Sequence, residues 1–491
     1  MDNRYYPTLE EVKGLRTAGN LVPIWREIDA DMETPVSAYL KISQGPYSFL
    51  LESVEGGERM ARYSFIGADP YTVIRSNARD GCDPLLKVAE VMQQYRVVSL
   101  PDLPRFHGGA VGYLAYESIK YYEEFAGLPA DPLELPESIF MFASTILVFD
   151  HLVHKIKVIS HISLDGDIEK SYQEAVARID RLINKLGIPL DTEVGVAGGI
   201  ETEDEVKSNM SEDQFTRMVE QGQEYIRSGE IIQVVLSQRL TRKTHAEPFT
   251  IYRALRGINP SPYMYFLKLD DFHIVGTSPE MLVRVEDGVV STHPIAGTRR
   301  RGNNRALDLA LEEELRHDEK ECAEHLMLLD LGRNDIGRVS IPGTVEVTQV
   351  MEVERYSHVM HLVSHVNGKL RADMTSYDAL RACFPAGTVS GAPKIRAMEI
   401  ISELEPHGRG TYAGALGYIS FSGNLDMAIT IRTMVIKDGF AYVQAGGGIV
   451  ADSVPREEYQ ESMNKARAMV KSIEQAEKMP VTRGERNVTV N

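Results

Sequence analysis

Two patterns of apolar and polar positions divide the chain. Up to about residue 163, short apolar runs such as SFLLESV, AVGYLAY, STILVFD and KIKVISHI recur between Gly, Pro and Asp. Runs of that length bounded by turn residues predict antiparallel strands with few helices, and one helical stretch follows near residues 168 to 186. Further on, strand-like runs (IIQVVLSQRL, MYFLKL, HIVGTSP, MAITIRTMVI, FAYVQAG) alternate with strongly helical ones (RALDLALEEELRHDEKECAEHLMLLDL, EEYQESMNKARAMVKSIEQAE). Hairpin-linked strands with helices inserted in blocks predict an α+β fold rather than a βαβ one. No internal repeat interrupts this order.

The sharpest change of composition spans residues 186 to 213, where Gly, Pro and acidic residues displace the apolar period. It reads as a linker or long surface loop. Ser211 with Gln214 has the capping-box spacing, and Phe215, Met218, Val219 and Ile226 then share a helical face, so a helix is predicted to start there. The boundary divides the chain into residues 1–200, 201–478 and a polar tail, 479–491.

The chain has 491 residues, 43% of them hydrophobic, enough for one very large core or two interlocked ones. Lys and Arg number 53 against 71 Asp and Glu, a net charge of −18, which disfavours nonspecific binding to nucleic acid or anionic membrane. A small anionic ligand therefore needs a local basic pocket. The cysteines are Cys82, Cys322 and Cys383, none in CxxC spacing, which argues against disulfides or a thiolate metal site and fits the cytoplasm. The N-terminus has no secretory or transit character, and no run approaches the roughly 18 apolar residues of a membrane span.

Candidate chemistry lies in the second half. Glu321, Glu324 and His325 stand at i, i+3 and i+4, and Glu458, Glu461 and Lys465 at i, i+3 and i+7, each set near one helical face. One Glu from each helix would suffice for Mg²⁺, which binds oxygen and keeps waters, yet spacing alone favours solvated acidic faces. Gly446, Gly447 and Gly448 follow an alternating strand, and such glycines let backbone N–H groups approach a carboxylate closely; a plain Gly-rich turn is the other reading. The fit to a dinucleotide fingerprint is weak, because Pro455 puts the next helix start too late. GTVSGAPK lacks the ending of a phosphate loop, and Pro393 just inside a helix start accounts for it. In MAITIRTMVI, read as one strand, Arg432 shares a face with Thr430 and Met434; it is either an edge-strand arginine in solvent or a carboxylate holder.

Taken together, HPIAGTRRRG, DEKECAEHLMLLDLGRNDIGRV, FPAGTVSGAPKIRAMEII and VQAGGGIVADS followed by EExxxExxxK resemble the chorismate-utilising enzymes, most closely the anthranilate synthase component I family. The likeness runs from about residue 20 to about 470. It implies a sandwich of large antiparallel sheets flanked by helices, with residues 1–200 as a regulatory and structural part and 201–478 as the chorismate-binding part. By the resemblance Glu324 and Glu461 are Mg²⁺ ligands, and Gly446 to Gly448 with Lys465 complete the cradle of the ring carboxylate. Arg432 and Tyr412 hold the enolpyruvyl carboxylate, while Gly297, Thr298 and Thr388 shape the floor. Glu321 is the general acid for the departing C4 hydroxyl and His361 assists the proton removal that accompanies pyruvate loss; Glu280, in GTSPE, falls at an active-site position.

Two absences carry the specificity. Isochorismate and salicylate synthases have a water-activating lysine at the position of Gln233, and aminodeoxychorismate synthase has a nucleophilic lysine at that of Ala296. Glutamine and alanine leave ammonia itself to attack C2, which implies anthranilate and pyruvate as products, in the first step of tryptophan biosynthesis. No cysteine stands in an amidotransferase context, so a separate glutamine amidotransferase subunit is expected, in a hetero-oligomer of two synthase and two amidotransferase subunits. LLES (Leu50 to Ser53) and NPSPYMYF (residues 259–266) mark an inhibitor site in tryptophan-inhibited relatives, making Glu52, Ser53, Pro262, Tyr263 and Met264 candidate tryptophan contacts. The rival expectations are a synthase that stops at 2-amino-2-deoxyisochorismate and a non-catalytic chorismate or tryptophan sensor. Arg300 after Arg299, where many relatives have Pro, bears on loop rigidity.

Overall fold

Gly109–Leu114 shows why so many strands read as nearly unbroken apolar runs: Ala110 and Leu114 enter one apolar layer, Val111 and Tyr113 another. A strand packed on both faces has no polar side to show. The computed structural model describes residues 5–53, 62–124, 127–190, 205–356 and 359–479. Residues 191–204 of the expected linker, and all but Met479 of the expected tail, lie outside the described residues.

The strands form a 12-stranded and a 10-stranded sheet, and all the named pairs are antiparallel. The α+β expectation is met. Strands from both sides of residue 200 share each sheet: Tyr47–Glu52 pairs with Tyr263–Leu269 in the larger one, and Gly109–Leu114 with Ala415–Ser420 in the smaller. Between the sheets lies an aromatic layer with Phe49, Phe65, Phe106, Tyr113 and Tyr418. Helices Ile168–Leu186, Pro248–Ile258 and Pro455–Lys478 cover the outside of the larger sheet through Ile179, Leu255 and Met469. Leu85, Leu380 and Leu329 bring helices Pro84–Met92, Ser376–Cys383 and Glu319–Gly337 against the smaller one.

The helix from Glu212 starts with the expected box, Ser211 and Gln214 capping each other's backbone. Two expected elements are each split in two. The long helical run breaks at Asp318, whose carboxylate accepts from Lys320 N and Glu321 N and so starts a second helix at Glu319. The run MAITIRTMVI is not one strand: Leu425–Ile429 belongs to the smaller sheet and Thr433–Lys437 to the larger, with Arg432 between them at φ 49. Alternation cannot reveal this, because both halves are buried on both faces and keep the same apolar period.

Where the sheets meet the helices, Arg409 and Glu405 form an ion pair at 2.6 Å with side chains 1% and 3% exposed. Arg409 also donates to Val235 O and Val389 O, and Glu405 accepts from Ser237 N and Oγ. Glu405→Gln would leave this guanidinium without its counter-charge, so we expect a loss of about 3–5 kcal/mol. Urea unfolding checks it; an unshifted midpoint would show that the pair is dispensable.

Candidate functional site

The site is built on the strand Phe440–Ile449, which runs antiparallel to Gln233–Lys243 with Gly446, Gly447 and Gly448 opposite Ser237, Leu236 and Val235. The three glycines lie inside the strand, not in a turn, and close approach explains all of them: a Cβ on Gly446 would come within 2.3 Å of Leu236 O. A Cβ on Gly447 would come within 2.8 Å of Glu458 Oε2 and 3.7 Å of Glu461 Oε1, and one on Gly448 within 2.4 Å of Gln233 Nε2. Missing side chains make the room that carboxylates and an amide occupy.

Two helices deliver the acids. Glu321 and Glu324 come from Glu319–Gly337, Glu458 and Glu461 from Pro455–Lys478. Gln233 Nε2 donates to Glu324 Oε1 at 3.0 Å, linking the first helix to the glycine strand. Lys320 Nζ donates to Asp452 Oδ2 at 3.1 Å and bridges the approaches to both helices. Lys465 Nζ lies 2.7 Å from Glu461 Oε1 and donates to Gly446 O at 3.0 Å, so it neutralises the rim of the cluster. Burial raises the pKa of Glu458, and Glu461 adds to the rise; burial likewise raises Glu321, with Glu324 adding to it. Carboxylates that repel in this way, with oxygen the only donor, suit a hard divalent cation. No three of them gather their oxygens within 4.8 Å, which Mg²⁺ with one or two carboxylates and waters does not require. His325, grouped with them by spacing, turns to the core and bonds Ser364 Oγ at 2.6 Å.

The strand Ile295–Arg300 forms the opposite wall. Gly297, at φ 71, sits at a register shift between Ala296 and Thr298, a bulge that bends the strand. A Cβ there would lie 3.2 Å from Glu321 Oε2. Arg299 donates to Glu321 Oε1 at 3.0 Å and also reaches Glu314 and Asp318. His361 faces Thr298 across the pair, its Nδ1 3.0 Å from both Thr298 Oγ1 and Gly297 O. Donation from Nδ1 to the Gly297 carbonyl leaves Nε2 unprotonated. Burial lowers the His361 pKa and Arg432 lowers it further, so the ring is neutral near pH 7.

Arg432 has no ion-pair partner among the described residues. Burial depresses its pKa, while Tyr412 and Glu461 oppose the shift, so both lie within electrostatic reach of Arg432. A left-handed non-glycine backbone is uncommon and collects at functional sites. Tyr412 is buried, with the Arg409 guanidinium 5.4 Å from its ring centre. Burial pushes the Glu280 carboxyl up to about 8. Thr388 is near enough to counter that rise, yet its Oγ1 is buried outside hydrogen-bonding geometry with any partner. Ala296 is buried beside Gly297 and carries no reactive group.

A separate cavity opens between the sheets at the Tyr47–Glu52 and Tyr263–Leu269 junction. All five residues expected at an inhibitor site line it. They do so unequally. Ser53 Oγ is buried and unpartnered, and Tyr263 belongs to the layer between the sheets, where its OH donates to Asp426 at 2.9 Å. Met264 points into the helix-side layer, and the Glu52 carboxylate accepts there from Tyr252 OH and Arg256. Arg105 and Arg284 also line the cavity.

Glu458, Arg299 and Lys320 complete the acid cluster, and Arg299 and Lys320 were given no part in it by the sequence. Spacing had already set Glu458 beside Glu461; nothing local marks the other two, whose partners come from elsewhere in the fold.

The family described as chorismate binding enzyme matches residues 46–471. Anthranilate synthase component 1 of Acetivibrio thermocellus is 52% identical over 96% of this chain and 99% of its own length, and that of Pseudomonas putida 48% identical over 95% and 98%. The crystal structure of anthranilate synthase component I from Streptococcus pneumoniae superimposes with a TM-score of 0.75 at 41% identity, covering 90% of this chain and 98% of that one. The menaquinone-specific isochorismate synthase of Escherichia coli shares the fold, with a TM-score of 0.69 at 20% identity. The chain belongs to the chorismate binding enzyme family, in the branch of the anthranilate synthase component 1 proteins.

Proposed function

We propose that this chain converts chorismate and ammonia to anthranilate, pyruvate and water, with Mg²⁺ bound, tryptophan as feedback inhibitor and a glutamine amidotransferase subunit as ammonia source in the cytoplasm. The observation that carries the reading is Gln233, buried at the heart of the acid cluster with its amide donating to Glu324. An amide is no base for water. With Ala296 supplying no nucleophile either, the attacking group is ammonia.

Arg432 and Tyr412 hold the enolpyruvyl carboxylate, the guanidinium by paired hydrogen bonds. Gly446 to Gly448 and Lys465 receive the ring carboxylate, and Glu324 and Glu461 would hold the metal. Bound Mg²⁺ would neutralise that carboxylate against the surrounding acids. Ammonia adds at C2 and loses a proton, both ring double bonds shift, and the C4 hydroxyl takes a proton and leaves as water. His361, neutral and with Nε2 free, then assists removal of the C2 proton as the enolpyruvyl C–O bond breaks; the ring becomes aromatic and enolpyruvate protonates to pyruvate. For the proton at C4, Glu280 is better suited than Glu321. Burial keeps Glu280 protonated up to about pH 8, whereas at Glu321, where burial also raises the pKa, Arg299 at 3.0 Å opposes the rise.

Supplying chorismate, Mg²⁺ and ammonium without any partner tests the reading by its products. Anthranilate with pyruvate supports it; accumulated 2-amino-2-deoxyisochorismate overturns the role of His361, and unchanged chorismate overturns catalysis. The acid assignment has a pH signature: at constant free NH₃, turnover should fall as pH rises through about 8, because Glu280 then loses its proton. Glu280→Gln should cost about 10²–10⁴-fold and erase that limb. Were Glu321→Gln to erase it instead, Glu321 would be the acid. Glu461→Gln should raise the Mg²⁺ concentration for half-maximal activity at least about tenfold with little change in Tm, since its side chain is half exposed. Ser53→Phe should fill the inter-sheet cavity and relieve tryptophan inhibition while leaving uninhibited turnover intact; unchanged inhibition would remove Ser53 from the inhibitor site.

A further inference from the structure

A second set of ligand-type side chains gathers further along the strand that carries His361, four residues on from it at His365. His293, in the link between strands Val289–Thr292 and Ile295–Arg300, Glu354 on strand Glu346–Arg355, and His365 on strand Val359–Lys369 bring one nitrogen or oxygen each within 4.8 Å of one another. Among the described residues no other three His, Cys, Asp or Glu do so. His293 is 3% exposed, and its Nε2 has no hydrogen-bond partner although Glu354 Oε1 is only 3.7 Å away. A buried imidazole nitrogen left unpaired costs free energy unless something occupies it. The His293 and His365 rings stack at 3.8 Å.

We propose that His293, Glu354 and His365 bind a divalent cation of the zinc class, at a site distinct from the acid cluster, which pins the edge strand Glu346–Arg355 to the strand bearing His361. Two imidazoles and one carboxylate form a zinc-type donor set; Mg²⁺ prefers oxygen throughout, so the two sites sort their metals by chemistry. Both rings are already in the binding form, because burial lowers the His293 pKa to about 3 and lowers that of His365 too. Metal–ligand bonds of about 2.0–2.1 Å draw the three atoms closer than they stand here. His365 and Glu354, each partly exposed, have room to turn toward the fixed His293, which unstacks the rings. Arg284, whose charge disfavours protonation of both histidines, is neutralised by Asp426 at 2.9 Å.

The test is calorimetric titration of Zn²⁺ into the full chain in excess Mg²⁺, with Cys82 and Cys322 alkylated beforehand. One tight equivalent is expected, raising Tm. His365→Asn and Glu354→Gln should each weaken it at least about tenfold and leave the chain folded and active. Co²⁺ in its place should give visible absorption of an imidazole-ligated centre that His365→Asn removes. Absence of tight binding, unchanged affinity in both variants, or loss only in Glu324→Gln and Glu461→Gln would each overturn the site.

Discussion

The buried Arg409–Glu405 pair is the constraint on which the substrate side of this molecule depends. A guanidinium in a core must have its charge and its N–H groups answered, and Arg409 is answered by Glu405, Val235 O and Val389 O. Those contacts join the strand that begins at Gln233, the short helix that carries Thr388, and the turn that presents Tyr412. Glu405 in turn accepts from Ser237, opposite Gly446. One ion pair therefore holds together three segments, each of which brings a residue to the pocket, and meets the glycine strand through its pairing at Ser237. Burying charge is an expensive way to join elements, and its return is geometric: a salt bridge tolerates far less displacement than an apolar contact.

Glycine does the complementary work. Gly447 and Gly448 let Glu458, Glu461 and Gln233 come against the backbone, and Gly297 bends its strand toward Glu321. The rigid pair fixes the frame and the missing side chains set how closely functional groups converge within it. Both devices serve one electrostatic end. Acids held together in partly buried surroundings have raised pKa values and call for a cation, while Arg432, without an acid of its own, calls for an anion. A dicarboxylate with a metal at one end satisfies both demands at once.

Sequence carried the fold class and the acid pairs well, because each rests on local spacing: antiparallel runs between turn residues, Glu at i and i+3, Ser211 with Gln214. It failed where the deciding fact was long-range. The run MAITIRTMVI keeps an unbroken apolar period across a change of sheet, so nothing in it announces the left-handed Arg432. Asp318 splits a helical run because it caps the second half, a role no different in composition from any acidic helix residue. Arg299 gained its place only when Glu314, Asp318 and Glu321 folded around it. For Met264 and Glu52 the neighbourhood was legible, since both line the cavity, but their further partners were not: Met264 also packs in the helix-side layer and Glu52 accepts from Tyr252.

The two halves of the chain are coupled by the same geometry that hid this. Tyr47–Glu52 and Tyr263–Leu269 pair directly, and the strand after Tyr263–Leu269 in the sheet order, Phe272–Ser278, leads into Glu280 and pairs with Thr433–Lys437 just beyond Arg432. Thr277 N donates to Arg432 O at 3.1 Å. A ligand that fills the inter-sheet cavity therefore pushes on strands two pairings away from Arg432. Close-packed strands shift as units, not by gradual bending. The inhibition proposed for this cavity then needs no contact with the acid cluster: a small slide of Tyr263–Leu269 against its neighbours would move Glu280 and the Arg432 turn together, and with them the groups proposed to hold the proton and the anion.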